Sequence, residues 1–167
     1  MDMDLMKLDL SQAGLSERKL ADDLAALSSY SRGGLVITPQ IAGELAASRR
    51  EALERNARTE LRADAIVRLV RAFMDSAFIP QDELSYVLGE LIDLFYYIKT
   101  ETGGALSDDE LISEMYAVFN GMCGGDIEDM QSRGLEKILR RTNWGDAGIW
   151  SGYESTDEEE RSEDWRE

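Results

Sequence analysis

The stretch "IPQDELSYVLGELIDLFYYIKTETGG", residues 79–104, contains the longest helical pattern in this sequence of 167 residues. Its proline suits the first turn of a helix, and the two glycines at its end are typical helix terminators. Between them, apolar residues recur three and four positions apart, which places them on one helical face: Leu84, Val87, Leu88, Leu91, Phe95 and Ile98. Ile92 and Leu94 broaden this face. The pattern predicts a long helix at the centre of the core.

The remaining sequence has the same periodicity, and we predict an all-α fold: a single compact domain with five main helices and short turns. Thr38 followed by Pro39 indicates a helix start. The threonine hydroxyl can cap the helix, and proline suits the first helical position because the amide there has no partner within the helix. Asp64 is the expected cap of the next helix. Ser107 with Glu110 forms a capping box for the helix after the two glycines.

The helical periodicity divides the sequence into three regions. We expect residues 1–9 to form a flexible N-terminus and residues 10–144 to form the α-helical domain. Residues 145–167 are acidic and lack periodicity, which predicts a disordered tail. Within the domain, a first helix opens near Ser16, and a short turn leads to a last helix around residues 134–141.

The formal net charge of −16 is unevenly distributed along the chain. Residues 49–71, the basic segment, contain seven basic and four acidic side chains. Residues 72–131, the acidic segment, contain one basic and 13 acidic side chains. The two segments either attract each other within the fold or present charge to a partner. Helical spacing favours two ion pairs within the basic segment: Glu51 with Arg55 and Glu54 with Arg58.

The composition excludes several kinds of chemistry. The sequence has no histidine, which removes histidine-based serine or cysteine catalysis and histidine-containing zinc sites. Its single cysteine cannot form an internal disulfide, which fits a reducing cytoplasm. The excess of acids argues against direct nucleic-acid binding, because phosphate recognition needs Lys and Arg. Apolar runs are too short to cross a bilayer and the first residues lack signal-peptide features, so we expect a cytoplasmic protein with no membrane partner.

The cysteine lies in "FNGMCGGDIEDM", residues 119–130, where glycines precede several acids. Counted as a calcium loop from Asn120, the stretch has a glycine in the right place but lacks carboxylates at three ligand positions. The acids that follow Cys123 disfavour its thiolate, so the stretch does not indicate a nucleophile either. We interpret it as a joint between helices, with Gly121 capping one helix and Asp126 opening the next turn.

Two pairs of carboxylates form the pattern that most suggests a metal site. Glu51 and Glu54 are three residues apart on one predicted helix, as are Glu90 and Asp93 on the central one. Residues at this spacing share a helical face, and two facing pairs could hold Mg²⁺. The pattern resembles the all-α nucleotide pyrophosphohydrolases, which pair E-x-x-E with E-x-x-D, although here another helix and a proline separate the pairs. The alternative function is a Mg-dependent hydrolase of this type, with these four residues as metal ligands.

Three longer segments carry a second resemblance: "ITPQIAGELAASRREAL" (37–53), "FMDSAFIPQDELSYVLGELIDLFYYIKTET" (73–102) and "LSDDELISEMYAVFNGMCGGDIEDM" (106–130). Together they resemble an uncharacterised family of short acidic bacterial proteins, a domain of unknown function found mainly in anaerobic Gram-positive bacteria. The resemblance implies a bacterial cytoplasmic origin. It implies no activity and no site residues.

The leading hypothesis is a noncatalytic interaction or regulatory protein that uses no cofactor and has no catalytic residues. The missing histidine, the segregated charge and the aromatic residues of the central helix favour it. Tyr96 and Tyr97 follow Phe95, and successive helical positions point in different directions, so at least one tyrosine should reach the surface. The expected partner is another protein with a basic surface, and one form of the hypothesis is a nucleic-acid mimic. The oligomeric state stays open.

Overall fold

The computed structural model describes residues 16–31 and 33–146. The predicted flexible segment of residues 1–9 lies outside these ranges, as do residues 147–167 of the tail predicted for residues 145–167. The described helices are α1 (16–26), α2 (Pro39–Arg55), α3 (Asp64–Phe73), α4 (Leu84–Glu101), α5 (Asp108–Asn120), α6 (Ile127–Asp129) and α7 (Leu135–Asp146). The described ranges contain no strand, and the all-α prediction is confirmed. No helix in them is both long and apolar enough to cross a membrane.

Helix starts with a hydroxyl cap form as predicted. The side chain of Thr38 accepts a hydrogen bond from the amide three residues later at 3.1 Å, and Ser107 does the same at 3.2 Å. The prediction for Asp64 is wrong, because Ala63 occupies the cap position and Asp64 is the first residue of α3. Its carboxylate still favours the helix there, since the first turn carries partial positive charge.

The central position predicted for α4 is confirmed by its burial and its neighbours. The helix begins at Leu84, after a 3₁₀ turn at Gln81–Glu83, and therefore later than the predicted start at Pro80. It contacts α2, α3, α6 and α7. Each fully buried aliphatic or phenyl side chain contributes about 1.5–3 kcal/mol relative to exposure. Nine side chains of α4 are buried: Leu84, Val87, Leu88, Leu91, Ile92, Leu94, Phe95, Tyr96 and Ile98.

Helices α2 and α4 run parallel, and α3 lies between them in the chain. Near the start of both helices, Ser85 of α4 donates a hydrogen bond to Glu44 of α2. At the end of α2, Arg55 lies 3.2 Å from the carboxylate of Asp93 in α4. Polar side chains of α2 therefore contact polar side chains of α4 near both ends of α2.

The two intrahelical ion pairs predicted for the basic segment do not form. Arg55 contacts α4 rather than Glu51. Arg58 contacts Glu60 at 2.9 Å rather than Glu54. Exposed intrahelical pairs contribute only about 0.3–0.5 kcal/mol, so contacts made on packing readily replace them. The pairing of Arg55 with α4 joins the basic segment to the acidic one, as expected if the two attract each other within the fold.

The C-terminal part of the domain also differs from the prediction. Instead of a turn followed by a separate helix, α6 passes through a π-helical turn, Met130–Gly134, directly into α7. A Cβ added to Gly134 would lie 2.8 Å from the sulfur of Met130 and 3.1 Å from the sulfur of Cys123. The glycine therefore lets this turn pack closely against the end of α5.

Candidate functional site

Cys123 is buried in the turn between α5 and α6. Its pKa is raised above the ordinary value, chiefly because burial disfavours the thiolate and further because the carboxylate of Asp129 is near. Gly121 is the C-terminal cap of α5, as predicted. Gly124 and Gly125 have φ values of +57° and +82°, which favour glycine. The turn geometry explains the glycines and supports the interpretation of the stretch as a joint between helices.

The four carboxylates of the magnesium hypothesis lie on two packed helices but have different surroundings. Asp93 pairs with an arginine of α2, whereas Glu90 accepts a hydrogen bond from Gln131 in the π-helical turn. Glu54 borders a cavity whose lining includes three arginines, and Glu51 is exposed. The structure brings α2 and α4 together but gives these carboxylates separate neighbours.

No metal-binding cluster is present in the described part of the chain. Its Cys, Asp and Glu side chains include no group of three or more that could hold a metal ion. Mg²⁺ in hydrolases of the predicted type needs several oxygen ligands around one position. The hydrolase function therefore stays a prediction that this geometry does not support.

A buried arginine, which the sequence patterns did not single out, organises the loop after α2. Arg49 is 9% exposed. Its Nε donates a hydrogen bond to the hydroxyl of Tyr96 at 3.3 Å, and its Nη2 donates to the carbonyls of Glu60 at 2.9 Å and Arg62 at 3.3 Å. No carboxylate among the described residues forms an ion pair with it. The guanidinium thus fastens the loop of residues 56–63 to α2 and α4.

The register of the apolar stripe was a signal for this role. Arg49 lies four residues after Leu45 and four before Leu53, and all three are buried on one face of α2. Arg50 follows it directly, and the many charges of this stretch obscure the apolar register. Burial raises the pKa of Tyr96, and the nearby Arg49 guanidinium opposes part of this rise.

A second charged cluster adjoins the same loop. The ammonium of Lys99 lies 2.8 Å from the carboxylate of Asp108 and 3.5 Å from that of Glu60. It also lies 5.4 Å from the centre of the Phe95 ring. The three charged side chains, Lys99, Asp108 and Glu60, border a cavity of about 610 Å³. Arg58 also pairs with Glu60 at 2.9 Å, and Arg68 lies 4.0 Å from Asp108. Because each of these carboxylates has two cations beside it, we assign the cluster a structural role. We call this end of the domain, with Arg49 and the 56–63 loop, the clamp end.

The opposite end, where α2 and α4 begin, is built from three connections: residues 33–37, 74–83 and 121–126. We call these connections, with the first turn of α4, the loop end. Four of the six large apolar side chains that are exposed in the described residues lie there: Val36 (49%), Phe78 (49%), Tyr86 (50%) and Met122 (38%). The other two are Leu61 at the clamp end and Tyr97, whose exposure confirms that one of the paired tyrosines reaches the surface.

The backbone of the loop end is fixed by contacts between its connections. The main chain of Val36 exchanges two hydrogen bonds with the side chain of Gln81, at 2.8 and 2.7 Å. The hydroxyl of Ser76 donates to the last residue of α5 at 2.6 Å. Phe78 lies directly on Gly125, where an added Cβ would overlap the phenylalanine side chain. The exposed apolar groups therefore project from a fixed frame.

Carboxylates accompany these apolar groups. Asp75, Asp82, Glu83 and Asp126 are exposed at the loop end. None of them forms an ion pair with a described residue. The described residues of the loop end include no basic side chain, and the neighbouring Arg32 lies outside the described ranges. Basic side chains do adjoin it: Arg71 lies in the last turn of α3, and Met122 borders a cavity that is also lined by Arg133, Lys137, Arg140 and Arg141. The surface thus combines apolar side chains with negative charge.

The fold and its surface define an acidic all-α domain, with a structural clamp at one end and an apolar, acidic surface at the other. The chain belongs to a family of unknown function (DUF6323), whose model matches residues 24–148. This confirms the resemblance to an uncharacterised family. Comparisons with curated proteins and with solved structures find no match.

Proposed function

We propose that this chain is a noncatalytic interaction protein that binds a basic partner protein through the surface of its acidic segment. The distribution of ion pairs is the observation that supports this most. Five of the 13 carboxylates in the segment pair with described cations: Asp93, Asp108, Asp109, Glu114 and Asp129. The other eight form no ion pair with any described residue.

Carboxylates without nearby cations repel one another and give the surface a negative potential. A basic partner would relieve this repulsion, and the potential would speed its association at low salt. Half of the eight carboxylates are at the loop end: Asp75, Asp82, Glu83 and Asp126.

The internal polar groups support a noncatalytic role. Active sites concentrate ionisable groups with strongly perturbed pKa values. Here, every buried side-chain nitrogen and oxygen of the described residues has a hydrogen-bond partner. The buried thiol of Cys123 is held in its protonated form, because its pKa is raised mainly by burial. A cytoplasmic location completes the proposal, since an unpaired thiol persists in a reducing compartment.

Affinity purification with two charge variants tests the proposal. The surface variant replaces four exposed carboxylates of the acidic segment: Asp82→Asn, Glu83→Gln, Glu101→Gln and Glu110→Gln. The control variant replaces four exposed carboxylates outside it: Asp22→Asn, Asp23→Asn, Glu51→Gln and Glu54→Gln. Both variants lose the same charge, so they separate surface position from net charge.

We expect the wild type and the control variant to retain a basic protein, identified by mass spectrometry, that the surface variant loses. Its retention should fall with salt, because exposed charges are screened beyond about 8 Å at physiological ionic strength. Retention by all three proteins, or loss from both variants alike, contradicts the proposal. If the protein is a nucleic-acid mimic, truncation after residue 146 should also weaken retention.

A further inference from the structure

We propose that the loop end is the docking surface for a partner segment that carries apolar side chains flanked by lysines or arginines. This inference rests on the proposed function and names the place and the chemistry of the contact. Charge alone would allow binding anywhere along the acidic segment. The apolar groups distinguish the loop end from the rest of that surface.

Exposed apolar side chains are concentrated at the loop end. Phe78 and Val36 are each half exposed, and they come from connections far apart in sequence. Tyr86 and Met122 add an aromatic ring and a flexible thioether to the same end. Aromatic residues and methionine are enriched in the buried centres of protein interfaces. Apolar groups gathered at one place on a soluble domain commonly mark a binding surface.

A fixed frame lies beneath these apolar groups. Phe78 cannot settle deeper, because one side of it already lies on the backbone of Gly125. Its amide donates to the hydroxyl of Ser76, which in turn donates to Asn120 of α5. These bonds hold the backbone at Phe78, and Gly125 supports one side of its ring. A backbone fixed before binding loses less conformational freedom in the complex, and such preorganisation strengthens binding.

The charge of the loop end selects the chemistry of the partner. Four exposed carboxylates lie in the same connections as the apolar groups and form no ion pair with a described residue. The basic side chains that adjoin the loop end, at the end of α3 and beside Met122, are those described above. A partner with lysines or arginines around its own apolar residues matches this arrangement. A second copy docked through the same surface would bring the two sets of carboxylates together, which disfavours a symmetric dimer here.

Three synthetic peptides of equal length test the inference on the full chain. The first is an amphipathic helix of lysines and leucines. The second has the same lysines with serines in place of the leucines. The third has the same leucines with glutamates in place of the lysines. Fluorescence anisotropy gives the dissociation constant of each peptide, measured at physiological and at high ionic strength.

The variants Phe78→Ser and Met122→Ser remove apolar surface from the loop end. Leu61→Ser is the matched control, because Leu61 is 93% exposed but lies in the loop of the clamp end. Met122 lies in a surface turn, so its variant keeps the test valid if Phe78→Ser fails to fold. Far-UV circular dichroism checks the fold of each variant.

We expect the lysine–leucine peptide to bind the wild type and to weaken about tenfold or more with either loop-end variant, as for a residue at the centre of an interface. Leu61→Ser should leave its affinity unchanged, and high salt should weaken it. The other two peptides should bind at least about tenfold more weakly. Equal effects of Phe78→Ser and Leu61→Ser, or equal binding of the lysine–serine peptide, overturn the inference.

The outcome is separable from that of the proposed function. If the wild type does not bind the lysine–leucine peptide, the loop end is not a docking surface of this chemistry. The affinity purification uses no such peptide and judges the wider acidic surface. A basic protein that is still retained there would keep the proposed function while the docking surface is rejected.

Discussion

Replacing Arg49 by alanine should destabilise the domain by about 2–4 kcal/mol, whereas the same change at Arg50 should cost less than about 1 kcal/mol. The two arginines are adjacent in sequence but differ in their surroundings. Arg49 is buried and donates three hydrogen bonds. Arg50 is exposed and contacts both carboxylate oxygens of Glu17, at 2.9 and 3.0 Å.

The expected loss of stability in Arg49→Ala follows from these hydrogen bonds. A hydrogen bond that involves a charged group contributes about 1.5–3 kcal/mol. The three bonds share one side chain, so their contributions do not simply add. Removing a buried cation that has no carboxylate partner also offsets part of the loss. For Arg50, solvent screening limits the exposed ion pair to about 0.2–1 kcal/mol.

Urea unfolding followed by far-UV circular dichroism measures both losses. The free energies of unfolding come from linear extrapolation to zero urea. The slope of the free energy against urea concentration should equal that of the wild type in each variant. Arg49→Lys is an informative third variant, because lysine keeps the charge but cannot present the planar fork of a guanidinium. The free energy of unfolding of Arg49→Lys should fall between those of the wild type and Arg49→Ala. Equal losses at positions 49 and 50 would refute the role assigned to Arg49.

Three further predictions concern the joint after α5 and the magnesium hypothesis. Gly125→Ala should destabilise the domain more than Gly124→Ala. Positive φ costs an alanine about 1–2 kcal/mol at either position. Only at position 125 does the new methyl group also overlap the side chain of Phe78. Equal unfolding free energies for the two variants would contradict this. Iodoacetamide should modify Cys123 more slowly than free cysteine at neutral pH, since burial raises the pKa of its thiol. The pKa of this thiol is higher in the folded state than in the unfolded state. The stability of the wild type relative to Cys123→Ser should therefore fall as the pH rises past the ordinary thiol pKa. Faster modification than free cysteine, or a rise in relative stability with pH, would argue against a buried, protonated thiol. MgCl₂ should shift the melting temperature no more than NaCl of equal ionic strength, with no hydrolysis of nucleoside triphosphates. Hydrolysis that depends on Mg²⁺ would revive the enzyme hypothesis.

Local signals account for what the sequence predicted well. The central position of α4 follows from its apolar spacing, which depends only on helical geometry. The caps at Thr38 and Ser107 need a hydroxyl and an amide three residues away, so a short stretch of sequence determines them. The joint at Cys123 was recognisable because glycines with positive φ interrupt helices.

Contacts between distant segments account for the failures. The partner of Arg55 depends on α2 and α4 lying parallel, which no local pattern reveals. The close packing of Gly134 against Cys123 joins positions eleven residues apart, so the local pattern does not reveal it. The loop end was missed because its apolar groups come from three connections, and none is notable alone. Within the candidate surface, the sequence revealed the negative charge but not the apolar groups that accompany it.

Mapping the lysine–leucine peptide onto the isotopically labelled chain by nuclear magnetic resonance tests the central claim most directly. The amide signals of residues 33–37, 74–83 and 121–126 should shift on titration and return as salt is added. Signals of the clamp end, residues 56–63, should stay in place. Shifts centred on the clamp end, or spread evenly over all the acidic residues, would contradict the assignment of the loop end as the docking surface.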